Sequence, residues 1–145
     1  MAGLLKRLFA PKSEPIQEVN HPALGTLAYD RESRNWGKTV MLSGQRCRLS
    51  IGGEHEPDAV LLDRASKLET ELPKLAAALQ AFVARAADEM PESATEIRSL
   101  TVADIAIWWP KQPDAVMIWF DGPSPERIWH ADYKGGMLSG LVCDK

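Results

Sequence analysis

Three histidines, a few carboxylates and one hydroxyl between apolar neighbours are the residues here that could do chemistry. His21, His55 and His130 follow no HxxxH spacing and have no CxxC beside them, so the several close ligands of a zinc site do not assemble from this pattern. Glu54-His55-Glu56 could catch a cation, but it follows Gly52-Gly53 and reads as a solvated turn. His130 and Asp132 are two apart, which in a strand puts both on one face as a base and its orienting carboxylate. Ser139, within GGMLSG, is a hydroxyl without the G-x-S-x-G elbow. Neither glycine pair belongs to a phosphate loop, since GGEHEPD lacks the GK[ST] ending. Cys47 alternates with Leu49 and Ile51, and a thiol facing a core stays protonated and inert. No catalytic, cofactor or metal set follows from these residues. A small hydrolase using His130 with Asp121 or Asp132 stands as the alternative reading.

The chain that must position them has 145 residues, enough for one domain that buries roughly 68–70% of its unfolded surface. Its 17 Lys and Arg against 20 Asp and Glu give a mildly acidic protein with scattered cations, which disfavours nucleic acid as a partner. Two cysteines, no secretory signal and no apolar run of membrane-spanning length point to a cytoplasmic protein.

Organisation follows from the prolines and the apolar periods. MAGLLKRLFAPK sets Leu4, Leu5, Leu8 and Phe9 beside Lys6, Arg7 and Lys12, a pattern suited to weak attachment at an anionic membrane surface. A proline-rich linker runs to residue 20, and residues 21–145 form the folded domain. Gly25–Tyr29, Trp36–Leu42 and Gln45–Ile51 alternate with a period of two and read as three strands. Asp58 is placed to cap a helix. From Leu61 to Ala86 apolar residues recur at alternating steps of four and three, in phase through Pro73. That predicts one long helix kinked at Pro73, or two abutting helices with Pro73 in the first turn of the second. Ser93-Ala-Thr-Glu96 fits a capping box for a short further helix. Strands follow at 103–109, 115–120, 128–133 and 137–142. The expected fold is α+β, in the order β-β-β-α-α-β-β-β-β, with an antiparallel sheet packed on one long Pro-kinked helix.

Aromatic content carries the functional reading. In IAIWWP and VMIWFDG both faces of each strand are bulky and apolar, whereas one helical layer covers one face. Trp108, Trp119 and Trp129 are assigned to the second face as candidate protein-binding residues, because tryptophan buries a large rigid surface at small entropic cost.

The motifs L-G-x-L-x-Y-D at residues 24 to 30 with Trp36, W-F-D at 119 to 121, and I-W-H-A-D-Y-K-G-G-M-L-S-G at 128 to 140 resemble a family of small bacterial proteins described as a domain of unknown function. The resemblance spans roughly residues 21 to 142 and implies strands flanking a leucine-rich helix, with a terminal strand pair. It implies no catalytic residues. Small proteins of this build include immunity and accessory factors, so it leans toward binding. The leading expectation is a cytoplasmic non-enzymatic module that meets a protein partner or a second copy of itself. A membrane-peripheral accessory protein anchored by residues 1–12 is the third reading.

Overall fold

Alternation in Cys47, Leu49 and Ile51 is matched by burial: each is less than a tenth exposed, while Arg46 on the other parity is open to solvent. The computed structural model describes residues 16–144, and its strands form one eight-stranded sheet whose order follows the chain. The strands are β1 Glu18–His21, β2 Gly25–Asp30, β3 Asn35–Leu42, β4 Gln45–Ile51, β5 Thr101–Ile107, β6 Val116–Asp121, β7 Ile128–Lys134 and β8 Met137–Asp144. Short turns join most of them. Ser43-Gly44, both at positive φ, is the two-residue turn whose twist suits the β3–β4 hairpin.

The α+β expectation of an antiparallel sheet on one long Pro-kinked helix is corrected on three counts. The described residues are mostly sheet, 41% strand against 29% helix, with an additional strand at Glu18–His21. The sheet is mixed, since β4 and β5 pair in parallel, Arg48–Ile51 beside Asp104–Ile107. Parallel neighbours need a long connection between them, and here the helices supply it. Lastly, no single long helix forms among the described residues; the two-helix alternative holds, with α1 Ala59–Thr70 and α2 Leu72–Glu89 carrying Pro73 in its first turn, followed by a 3-10 turn Pro91–Ser93 and α3 Ala94–Arg98.

The division has a local cause. Asp58 opens α1 by accepting from the N–H groups of Val60 and Leu61 at 3.0 and 3.1 Å. Glu71 then takes φ −93° and ψ −1°, and its N–H closes the last turn of α1 on the carbonyls of Leu68 and Glu69. Leu72 and Pro73 begin α2, where a missing N–H costs nothing because the first-turn donors lie outside the helical ladder. Phase survives the break. Leu61, Ala65, Leu68, Leu72, Leu75, Leu79, Phe82 and Ala86 all enter one core with Trp36, Leu49, Ile105, Ile118 and Tyr133 from the sheet. Each buried leucine contributes about 1.5–3 kcal/mol relative to an exposed one.

Ser93 makes no side-chain cap at α3. Glu96, its expected partner, reaches away to Arg127 Nε at 2.7 Å and Trp129 Nε1 at 2.8 Å, tying the short helix to β7.

Candidate functional site

With the helices on one side, the register of β3 to β8 decides what the other side carries. Ser50 faces Ala106 across the parallel pair, and Asp104, Trp119 and His130 follow as neighbours on β5, β6 and β7. Small residues floor the face: Gly37, Ser50 and Ala106 are all buried. Larger side chains lie across them. The guanidinium of Arg48 lies over Gly37, where a Cβ would sit 2.4 Å from Arg48 Cζ. Arg48 Nη2 donates to Asn35 Oδ1 at 2.7 Å, and its Nε stands 4.0 Å from Asp104 Oδ2.

A chain of bonds leads from there to the aromatic residues. Trp108 Nε1 donates to Ser50 Oγ at 2.8 Å, and Ser50 Oγ donates to Asp104 Oδ1 at 2.7 Å. Burial pushes the Asp104 carboxyl up to about 6, against the downward pull of the Ser50 hydrogen bond and the Arg48 charge. Trp119 stacks on Trp108 with ring centroids 6.0 Å apart, and Trp109 meets Trp108 edge-on at 5.8 Å. On its other side Trp119 meets the His130 ring at 4.9 Å. The indole Nε1 of Trp119 is shut off from solvent without an acceptor among the described residues. Exposed Ile128 and Val142 extend the apolar surface beside His130.

Charge on these strands is one-sided. Across β5 to β8 the acidic residues are Asp104, Asp121, Asp132 and Asp144, and Lys134 is the single Lys or Arg. Register puts all four carboxylates on the helix-free face around the Trp108–Trp119 stack.

The residues singled out in the sequence separate into two groups. Trp108 and Trp119 come together on the open face. Trp129 lies on the opposite side, 2% exposed, bonded to Glu96 and covered by the Arg127 guanidinium 5.5 Å from its ring centre. Its parity was legible, since Trp129, Ala131 and Tyr133 form the apolar side of β7. His130 Nε2 is 2.9 Å from Asp144 Oδ2, and neither Asp121 nor Asp132 bonds to it. Asp121 instead sits opposite Thr101, and Asp132 opposite Ser139. Asp144 had no local signal, being brought to His130 by the β7–β8 hairpin and its register shift.

Elsewhere, His21 Nδ1 accepts from the N–H groups of Ala23 and Leu24, which makes it a turn residue of the β1–β2 hairpin. His55 is exposed in the loop before α1. Burial raises the Cys47 thiol to about 11, with the Asp104 charge adding to the shift. Among the described residues no three His, Cys, Asp or Glu side chains gather to hold a metal ion, and no helix is long and apolar enough to cross a membrane. Residues 1–12, the candidate membrane segment, lie outside the described residues. Compared with known proteins, the chain matches no family model, no curated protein and no solved structure.

Proposed function

We propose that this chain is a non-enzymatic cytoplasmic binding module whose helix-free face receives a partner protein with a basic, apolar-centred surface. The observation that carries the reading is the ring of Asp104, Asp121, Asp132 and Asp144 around stacked Trp108 and Trp119. Indole faces attract ammonium and guanidinium groups, and nearby carboxylates add directed acceptors. Asp104 strengthens the case, because its charged form at neutral pH works against folding and a cation above the face would offset that cost. Ile128 and Val142 supply apolar contact beside the ring. Two free cysteines fit a reducing compartment. The resemblance of residues 24 to 30 and 119 to 140 is to a bacterial family described as a domain of unknown function, and small proteins of that general build that act as accessory factors lean the same way by analogy.

The hydrolase reading loses its named carboxylates, since His130 is held by Asp144 and packed on Trp119. That arrangement reads as a latch that orients the ring.

Affinity purification of the tagged chain from its native cell tests the proposal, run beside Trp119→Glu and Asp132→Lys variants whose folding is checked by circular dichroism. A stoichiometric basic protein that both folded variants lose, and that added salt weakens, supports the reading. Equal capture by wild type and Trp119→Glu overturns it, as does a wild-type preparation containing this chain alone.

A further inference from the structure

We infer that a second site, on the helix side of the sheet, binds a small phosphate-bearing anion in the cleft between α1, the start of α2 and the β7–β8 turn. The cleft encloses about 670 Å³, and Arg64 and Tyr133 belong to its lining. Arg64 is the anomaly that marks it. Its side chain is only 15% exposed, yet no hydrogen bond joins it to any described residue. The Nε is closed to solvent and has no acceptor. The Glu71 carboxylate stands 3.8 Å from Nη1, beyond hydrogen-bond reach. A half-hidden guanidinium with unmade bonds is costly, and its planar fork matches the paired oxygens of a phosphate.

Charges around Arg64 are arranged to the same end. Lys67 is tied to Asp63 at 3.1 Å, which removes that pair from the account. Lys74 and Lys134 also line the cleft and have no ionic partner among the described residues. The opposing carboxylates are Glu71, held near Arg64, and Asp114. Lys74 sits in the first turn of α2, where a cation is disfavoured by the helix dipole and the one acidic residue at that end is the N-cap Glu71. An anion in the cleft would offset both the dipole and the unpaired ammonium. On the far wall, Gly135 and Gly136 take φ of 59° and 77°, and nothing lies within 4 Å of where their Cβ atoms would be. Bare backbone there leaves room for a bulky group. Two free ammoniums and one guanidinium suit a dianion such as a phosphate monoester better than a single carboxylate.

Calorimetric titration of the full chain with pyrophosphate, in phosphate-free buffer of low ionic strength, tests the site. One saturable event per chain is expected, with acetate binding at least tenfold more weakly. Arg64→Gln should weaken pyrophosphate at least tenfold. Lys134→Glu, an exposed change at the turn that cannot unfold the core, should do the same. The absence of saturable binding at millimolar pyrophosphate overturns the assignment, and so does equal affinity in wild type and Lys134→Glu. Acetate binding as tightly as pyrophosphate would overturn the phosphate preference.

Discussion

Trp108 and Ser50 are joined by an N–H···O bond of 2.8 Å that spans the one parallel pairing in the sheet. A hydroxyl has a single proton, and Ser50 directs its own to Asp104 at 2.7 Å while accepting from the indole. The orientation of Trp108, and of the Trp119 ring stacked on it, is therefore set by a carboxylate that faces away from the helices.

Replacing Asp104 by Asn should make the protein more stable at neutral pH. Burial lifts this carboxyl to about 6 in the folded chain, against an unfolded value of about 3.9. The folded state binds the proton more tightly, so the group's stabilising contribution is complete below the unfolded value. It declines as pH rises from about 4 to about 6 and is absent above that. The variant should gain about 2 kcal/mol near pH 7.5 and nothing near pH 3.5, read from urea unfolding at both. Equal stability at pH 7.5 would contradict the raised folded value, which already includes the Ser50 and Arg48 contacts.

Gly37→Ala should cost about 1–2 kcal/mol through Arg48 and little through its own backbone. The new methyl would displace the guanidinium, a flexible group, and break its 2.7 Å bond to Asn35. In an Arg48→Ala background the same change should be nearly neutral. A double-mutant cycle measured by chemical denaturation should give a coupling of at least about 1 kcal/mol, and strict additivity would contradict the contact.

Glu96 anchors α3 to β7, and its pKa is lowered by the hydrogen bond from Arg127 first and from Trp129 second. A depressed folded value means the contribution is present above the ordinary carboxylate range and is lost as pH falls through the folded value. Glu96→Gln should melt earlier than wild type at neutral pH, with the gap closing in acid. Thermal scans at both pH values decide it; a gap of equal size in acid would show that charge is not the cause.

Local patterns were legible because they are local. Alternation around Cys47, Leu49 and Ile51, the Asp58 cap and the leucine phase through Pro73 each concern neighbours within a turn or a strand, and the structure shows all three. The parallel β4–β5 pair could not be read this way, since Ser50 and Ala106 meet across more than fifty intervening residues. Strand β1 escaped notice for another reason: four residues at a sheet edge, two of them exposed, leave too short a pattern. Of the candidate site, Trp108 and Trp119 followed from parity. Asp104 had a faint signature, one carboxylate in an otherwise apolar strand, but its Ser50 partner comes from the distant parallel strand.

That same parallel pair joins two ribbons of consecutive strands. Strands β1 to β4 and β5 to β8 are each consecutive antiparallel hairpins, a motif that forms in roughly 1–10 microseconds. Joining them requires residues 52–100 to close into a loop, at an entropic cost of roughly 3–4 kcal/mol before any contact returns it. The slow event in folding is then expected at the meeting of Leu49 with Ile105 and Ser50 with Ala106, and the Ser50 bond that orients Trp108 forms only once the two ribbons have met.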